Sequence, residues 1–426
     1  MSEWKQTKLG DLLKIKHGYA FKSSDYVQES SFPLVTLKSI SESSSFYFDE
    51  SKATYYGGDI PAEYILNQGD LIIPLTEQVI GLLGNSAFVP KINKYTFLLN
   101  QRVGKIINDE NKVDRVYLKY LMSTSNVRNQ MEYRAHGTKQ RNISPKDIYD
   151  ITVIIPAIKT QKEIGLILKN IEDKITLNNK INEELEAMAK TLYDYWFVQF
   201  DFPDENGKPY KSSGGKMVYN DQLKREIPEG WGVKRLGEIC NPTSGYPFAS
   251  NTYVQDGKFK IYTIKNVQDN GILPITDNTL DTLPANLPEK CILGPGDMLM
   301  SLTGNVGRVG IVFEDNALLN QRVLKIESKY KAFIFQFLKD PRTRSLLENT
   351  ATGTSQKNLS PKDVMDISII FPGFNVLIEF EQISNEILLQ ITSNNQQNQE
   401  LTQLRDWLLP MLMNGQVKVE DKTWKL

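Results

Sequence analysis

The chain has 426 residues, enough for two to three domains, and 40% hydrophobic with 24% charged residues is ordinary for a globular protein. Its formal net charge is −1, so overall charge does not predict nucleic-acid binding, which would need local basic patches. Two cysteines in so long a chain indicate a reducing compartment without a disulfide framework. Because no apolar run reaches the ~18–20 residues of a membrane span and the first residues lack the apolar core of a signal peptide, we expect a cytoplasmic protein.

Residues 1–156 are predicted to form one mixed α/β domain. Short apolar runs bounded by Gly, Pro or Asn predict strands at Phe32–Ile40, Asp70–Leu75, Ala87–Pro90, Phe97–Ile107 and Ile151–Ile155. The apolar spacing within Val113–Tyr133 predicts a helix.

Residues 157–200 are predicted to form a long helix, because apolar residues recur at alternating steps of four and three, as in a coiled coil. The predicted pairing positions are Ile164, Leu168, Ile171, Ile175, Asn178, Asn182 and Leu185. Two asparagines on this seam would fix the register, since a slipped pairing would bury their amides without partners. Residues 201–226 follow as an exposed linker rich in Gly, Ser, Pro and charge.

The second half of the chain repeats the first. Twelve of the twenty residues from Gly137 to Pro156 are identical 216 positions later, in Gly353–Pro372. We therefore expect a second domain at 227–372, a second long helix at 373–415 and a tail at 416–426. The equivalent seam positions are Phe380, Ile387, Ile391, Asn394, Asn398 and Leu401.

This repetition predicts an α+β protein with a pseudo-two-fold internal repeat: two α/β domains joined by two long helices that pair antiparallel as a coiled coil. Ser384 and Arg405 interrupt the second seam, and Pro410 predicts that the helix kinks or stops there. The offset between copies falls from 227 at Trp4 and Trp231 to 216 at the repeated loop, and then stays constant through the helices. Helices of constant length and domains of variable sequence are typical of a protein in which the helices fix the distance between two different recognition domains.

No residues form a repeated catalytic constellation. His17 and His136 are the only histidines, and Ser244 and Thr352 stand at their positions in the second copy, so a histidine acid, base or metal ligand cannot serve both halves. The two cysteines lack a zinc-binding spacing, and no phosphate-binding GxxxxGK[ST] motif occurs. We expect neither catalysis nor a metal or cofactor in this chain.

Polar and basic residues instead recur at the same places in both halves. Gly137–Asn142 and Gly353–Asn358 combine Gly, Gln, Asn and basic residues, which suit phosphates and base edges, although a plain polar connection explains one loop equally well. An Asn-Gln-Arg cluster begins at Asn100 and again at Asn320 and would line either a cleft or a solvent face. The candidate DNA-binding residues are Lys139, Gln140, Arg141, Asn142, Gln356, Lys357, Asn358, Thr76, Thr303, Asn305, Arg308, Arg102 and Arg322.

The order of these motifs resembles the specificity subunit of bacterial Type I restriction–modification systems. The resemblance rests on a doubled Gly-Asp strand, a Leu-Asn-Gln-Arg-Val segment, a GTxQxN[IL]SPxD loop and an Ile-Ile/Phe-Pro strand that enters a long helix. It also includes the junction TLYDYWFVQFDFP, followed by IPEGWGVKRLGEI. It spans essentially the whole chain.

The resemblance implies that each domain is a target recognition domain that reads one half of an interrupted double-stranded DNA sequence. The helices would set the distance between the half-sites. Two methyltransferase subunits would dock, supplying S-adenosylmethionine and adenine methylation, and nuclease subunits would join through them. The competing interpretation is a coiled-coil scaffold that binds only proteins.

Overall fold

The computed structural model describes residues 4–41, 44–78, 81–137, 140–269, 271–353 and 356–418. The chain divides into two compact units, Met1–Lys174 with Leu401–Leu426 (unit 1) and Ile175–Glu400 (unit 2). The predicted domain boundaries placed each long helix outside the globular parts. The compact units instead include the helices, because helix residues pack into the core of each unit.

The helices occur in the same order in each half. They are α1 (Arg115–Met122), α2 (Ser125–Arg134), α3 (Pro145–Tyr149), α4 (Ile158–Tyr193), α5 (Lys331–Lys339), α6 (Pro341–Thr350), α7 (Pro361–Met365) and α8 (Phe374–Met413). A π-helical turn, Asp194–Val198, continues α4. Helices α3 and α7 start alike: Ser144 and Ser360 accept a backbone N–H three residues later, and that residue's carboxylate accepts the serine N–H.

Unit 1 is built on an antiparallel sheet with strand order β2-β10-β6-β8. Its strands are β1 (Lys5–Lys8), β2 (Leu13–His17), β3 (Tyr26–Val27), β4 (Leu34–Val35), β5 (Tyr55–Tyr56), β6 (Leu71–Pro74), β7 (Thr76–Glu77), β8 (Ala87–Phe88), β9 (Leu98–Leu99), β10 (Val103–Asn108), β11 (Arg141–Asn142) and β12 (Thr152–Ile155). Strands β4 and β9 form a separate parallel pair. The main core lies between this sheet, α1 to α3 and the unit 1 parts of α4 and α8.

Unit 2 repeats this plan with the antiparallel sheet β16-β25-β22-β23. Its strands are β13 (Met217–Asn220), β14 (Arg225–Pro228), β15 (Gly232–Arg235), β16 (Asn241–Ser244), β17 (Phe259–Tyr262), β18 (Val267–Gln268), β19 (Gly271–Ile272), β20 (Thr279–Leu280), β21 (Ile292–Leu293), β22 (Met298–Ser301), β23 (Val309–Ile311), β24 (Ala317–Leu319), β25 (Val323–Glu327) and β26 (Ser368–Phe371). Strands β17 and β24 are parallel, like β4 and β9 in unit 1.

Two of the predicted elements are divided in the structure. The predicted strand Phe97–Ile107 becomes β9 and β10, because its Asn-Gln-Arg segment forms a turn. The predicted helix Val113–Tyr133 becomes α1 and α2. The hydroxyls of Ser123 and Thr124 donate to carbonyls at the end of α1, which satisfies groups that a continuous helix would have bonded with backbone N–H donors.

The long helices pair antiparallel through asparagines in unit 2. Asn178 donates to the side-chain oxygen of Asn398 at 2.9 Å, and Asn394 donates to that of Asn182 at 2.8 Å. Asn182 also donates to Asn395 at 2.9 Å. The two asparagine levels lie four residues apart on both helices and run in opposite directions, so the predicted polar layer is the pairing contact in this unit.

The apolar seam continues within each unit. In unit 1, Ile164 and Leu168 of α4 share a buried core with Leu412 of α8. In unit 2, Phe380 is fully buried and its ring lies 5.8 Å from that of Trp196. The remaining predicted seam residues are buried or half-buried: Ile171, Ile175, Leu185, Ile387, Ile391 and Leu401.

The two seam interruptions have different surroundings. Ser384 is 1% exposed, and its buried hydroxyl has no hydrogen-bond partner among the described residues. Arg405 folds onto its neighbour Asp406, with Nη2 2.7 Å from Oδ1. The prediction at Pro410 was a kink or a stop, and the helix does not stop there, because α8 continues to Met413. Proline lacks a backbone N–H and so removes one hydrogen bond of the helix, and α8 ends three residues after Pro410.

The predicted linker is largely exposed but ordered. The Phe202 ring stacks 4.9 Å from Trp231 and 4.6 Å from Tyr210. Asp201 accepts hydrogen bonds from the backbone and hydroxyl of Ser212, at 2.7 and 2.6 Å, and these donors lower its pKa. Strands β13 and β14 then form a hairpin. Composition alone predicted exposure and missed these anchoring contacts.

Candidate nucleic-acid interface

Three of the repeated sequence motifs meet in unit 1. The backbone N–H of Leu75, at the end of β6, donates to the carbonyl of Arg102 at 2.9 Å. The N–H of Ile143, after the Gly-Thr loop, donates to the carbonyl of Leu75 at 3.0 Å. The Gly-Asp strand, the Asn-Gln-Arg segment and the Gly-Thr loop are therefore bonded side by side, although up to 70 residues separate them in the chain.

Unit 2 brings the same three motifs together through the same bonds. Leu302 donates to the carbonyl of Arg322 at 3.0 Å, and Leu359 donates to the carbonyl of Leu302 at 2.8 Å. Main-chain bonds of this kind depend on backbone position and are indifferent to most side chains. The arrangement is therefore kept while the surrounding sequence differs between the units.

The Asn-Gln-Arg turn packs closely against a glycine in each unit. A Cβ on Gly18 would lie 2.0 Å from the carbonyl oxygen of Asn100, and one on Gly245 would lie 2.1 Å from that of Asn320. Only glycine permits this approach. The turn's Gln and Arg side chains are exposed in both units, including the candidates Arg102 and Arg322.

The Gly-Thr loop of unit 1 is closed by paired backbone bonds of 2.9 Å between His136 and Asn142. Gly137 has a φ of +120°, and a Cβ there would lie 2.0 Å from the carbonyl oxygen of Gln140. The hydroxyl of Thr76 donates to the Asn142 side chain at 2.8 Å, so these two candidates hold the loop to the strand. Gln140 is half-buried and also donates to Asn142, at 3.3 Å. The candidate Lys139 lies outside the described residues.

The equivalent loop in unit 2 has the same frame and a more open surface. Thr352 and Asn358 close it, Gly353 has a φ of +100°, and the hydroxyl of Thr303 donates to Asn358 at 2.8 Å. Thr76 and Thr303 are each 5% exposed, so neither side chain can contact a ligand unless the loop above it moves. Gln356 and Lys357 are exposed, and the Lys357 ammonium donates to the carbonyl of Glu348 at 3.0 Å.

Arg141 is held by an ion pair that the sequence did not predict. Its guanidinium lies against the carboxylate of Glu77, with Nε 2.7 Å from Oε1. Glu77 is 1% exposed, and its other oxygen accepts backbone N–H bonds of 3.0–3.2 Å from residues 81–83. Arg141 thus compensates a buried charge and anchors this corner of unit 1. The only sequence signal for this pair was an acidic residue beside Thr76 in an apolar strand.

Arg308 in unit 2 is likewise held by an acidic partner within its own unit. Its Nη2 lies 3.0 Å from the Asp269 carboxylate, and its Nη1 donates to Gln268 at 2.7 Å. Its side chain is 17% exposed, whereas Asn305 in the same loop is exposed. Among the candidate cations that the structure describes, the most accessible are therefore Arg102 in unit 1 and Arg322 and Lys357 in unit 2. DNA contact by any of the candidates stays a prediction.

The described residues hold no arrangement that suggests metal chemistry: no group of three or more His, Cys, Asp or Glu side chains could bind an ion. Cys240 and Cys291 are buried and unpaired, and burial raises the pKa of Cys240 to about 12, which opposes thiolate chemistry. His17 and His136 are exposed and lie in different motifs. No helix within the described ranges is both long and apolar enough to cross a membrane.

Comparison with known proteins gives consistent relatives. The family described as "Type I restriction modification DNA specificity domain" matches residues 1–187 and 228–403. The MjaIX specificity subunit of Methanocaldococcus jannaschii is 26% identical over 99% of this chain and 98% of its own length. The EcoBI specificity subunit of Escherichia coli is 22% identical over 87% of this chain and 76% of its own. An S subunit structure from M. genitalium has a similar fold, with a TM-score of 0.59 and 14% identity over 96% of both chains.

Proposed function

Because the chain belongs to the Type I restriction–modification DNA specificity family, we propose that units 1 and 2 each read one half of an interrupted duplex sequence. The chain is the non-catalytic, DNA-recognising component of such a system. The comparisons give no support to a scaffold that contacts only proteins. What each unit contributes is a surface that recognises its own half-site.

The observation that carries this proposal is the repeated convergence of the three motifs. In both units the Asn-Gln-Arg turn and the Gly-Thr loop are bonded to the end of the same strand. The turn presents exposed Gln and Arg side chains in both units, and the loop of unit 2 adds the exposed Gln356 and Lys357. Amide side chains bond base edges bidentately, and cations bond phosphates. A frame of main-chain bonds lets the side chains differ between units, which is what two different half-sites require.

The partners follow from this function. Double-stranded DNA is the ligand, and two methyltransferase subunits bind this chain, one for each half. S-adenosylmethionine and the transfer of a methyl group to adenine belong to those subunits, and restriction subunits join through them. The complex acts where the chromosome is, in the cytoplasm. The chain's own residues orient the duplex and carry out no step of the reaction.

Two recognition units in one chain multiply their discrimination. A good bidentate contact discriminates against a wrong base by about 1–3 kcal/mol, so two or three contacts in each unit give several orders of magnitude. A single unit would leave weak binding that depends strongly on salt.

Methylome sequencing of the host with and without this gene tests the proposal. We expect the deletion to abolish methylation at one two-part motif with an unspecified central spacer, and a plasmid copy to restore it. Loss of a continuous motif, or no change in methylation, would contradict the proposal.

Variants of one loop test the assignment of units to half-sites. Replacing Gln356 and Lys357 with alanine is expected to relax or weaken one half of the motif and leave the other half unchanged. Gln140→Ala is the matched variant in unit 1 and should affect the opposite half. Equal loss at both halves from either variant would refute the assignment.

A further inference from the structure

A second basic turn lies beside the Asn-Gln-Arg turn in each unit. In unit 1 the parallel strands β4 and β9 pair Val35 with Leu99, which are the last residues of the two strands. The carboxyl ends of neighbouring parallel strands meet at one sheet edge. Strand β4 therefore leads into Thr36-Leu37-Lys38 at the edge where β9 leads into the Asn-Gln-Arg turn.

Unit 2 has the same juxtaposition. Strands β17 and β24 are parallel and pair Tyr262 with Leu319. They lead into Thr263-Ile264-Lys265 and into the second Asn-Gln-Arg turn. The repeated Thr-x-Lys occurs at the 227-residue offset already seen for the first motifs, although most of the sequence around it differs.

The Thr-x-Lys turn is built alike in both units. In unit 1 the N–H of Thr36 donates to the hydroxyl of Ser39 at 3.1 Å, and the N–H of Ser39 donates back to the carbonyl of Thr36 at 2.9 Å. In unit 2, Thr263 and Asn266 make the equivalent bonds, both at 2.9 Å. The fourth residue is buried in each case and the lysine before it is exposed. The turn therefore holds the lysine at a fixed place on the surface.

The lysine and arginine of unit 1 line one cleft of about 410 Å³, together with Thr36, Gln78 and Gln101. Lys52 and Asp49 also line it, but they neutralise each other in an ion pair of 2.8 Å. Within the described ranges neither Lys38 nor Arg102 forms an ion pair, and the same holds for Lys265 and Arg322. Each unit thus presents two uncompensated cations at one rigid edge.

We propose that Lys38 with Arg102, and Lys265 with Arg322, are sequence-independent clamps that each bind the DNA phosphate backbone beside a half-site. This rests on the proposed function and divides its surface into two parts. A lysine–arginine pair that recurs unchanged in both units suits the chemistry that both half-sites share, which is the phosphate backbone. Base reading is then left to other polar side chains of the surface, including residues that differ between the units, such as Gln78 in unit 1 and Asn305 in unit 2.

The salt dependence of binding tests the clamps, because each neutralised phosphate contributes about 0.9 to the slope of log K against log salt. The full chain, purified with its methyltransferase subunits, is titrated with a duplex carrying its methylated motif and with a duplex of unrelated sequence. In the Lys38→Gln, Lys265→Gln double variant we expect the slope to fall in magnitude by about 1.8 on both duplexes. The ratio of the two affinities and the methylated motif should stay unchanged.

Two control variants separate charge from position. Lys38→Arg with Lys265→Arg keeps both charges and should keep the wild-type slope. Lys14→Gln with Lys211→Gln removes two exposed lysines from other parts of the units and should also leave it unchanged. Circular dichroism of each variant checks that it folds, and because Lys38 and Lys265 are exposed we expect no change.

The remaining outcomes overturn the inference in distinguishable ways. An unchanged slope in the Lys38→Gln, Lys265→Gln variant, with wild-type binding intact, would refute the clamps alone. A changed affinity ratio or a relaxed methylation motif would show that the lysines read bases. A wild-type complex that binds neither duplex would refute the proposed function, and the clamps with it.

Discussion

The asparagine layer between the long helices gives the sharpest test of how the two copies are held in register. Asn394→Leu removes the 2.8 Å bond that its amide donates to Asn182, whose side chain is 8% exposed. Asn182 keeps its own donation to Asn395, so one buried acceptor is left without a partner. An unsatisfied buried polar group costs about 1–3 kcal/mol.

Hydrogen exchange of the helix amides measures this cost directly. If exchange near the layer requires the helices to separate, a loss of 1–3 kcal/mol speeds it by about 5- to 150-fold. The double variant Asn182→Leu, Asn394→Leu removes both buried amides and should exchange more slowly than Asn394→Leu alone, because two apolar side chains can pack where one amide would be orphaned. Gln403→Ala, on an exposed position of α8, serves as the control.

Two results would refute this reasoning. A wild-type exchange rate in Asn394→Leu would mean that the layer is already hydrated or open. A double variant destabilised by the sum of the two single changes would mean that the asparagines do not act as a pair.

Three further predictions concern the helices, the Glu77 ion pair and the linker. Inserting one heptad into both α4 and α8 adds about 10.5 Å to each helix, so methylome sequencing should find the central spacer lengthened by about three base pairs; an unchanged spacer would contradict the idea that the helices fix this distance. Arg141→Ala leaves the buried Glu77 carboxylate without its cation and should destabilise unit 1 by about 1–3 kcal/mol in urea unfolding, whereas Lys357→Ala should not; equal midpoints would refute this role. Hydrogen bonds from Ser212 lower the pKa of Asp201 in the folded protein below its value in the unfolded chain. The stability that the Asp201 carboxylate contributes is therefore present above about pH 4 and is lost as the pH falls through its folded-state pKa. Asp201→Asn should flatten this acid limb of a thermal-stability profile.

The local sequence pattern was sufficient to predict the two long helices, which are repeats of one another and pair with each other. The four-three spacing around Asn178 and Asn182 predicted both the helix and the level of its polar contacts, because helical period and the cost of an unpaired amide act over a few residues. The repeated motifs likewise predicted the family and the doubled architecture. Where periodicity was the only guide, it predicted too long a helix. The spacing in Val113–Tyr133 predicts one helix, yet the hydroxyls of Ser123 and Thr124 bond the carbonyls at the end of α1, where that helix ends.

Only the tertiary structure decided which cations are available to a ligand. In the sequence, Arg141 stood out because it lies in a polar loop that is repeated over six residues, whereas Lys38 lay within the predicted strand Phe32–Ile40. Folding places Arg141 on the buried carboxylate of Glu77, 64 residues away, whereas parallel strand pairing places Lys38 beside Arg102 without an acidic partner among the described residues. A side chain's partner depends on which strand ends meet, and that is settled by long-range packing that no local pattern encodes.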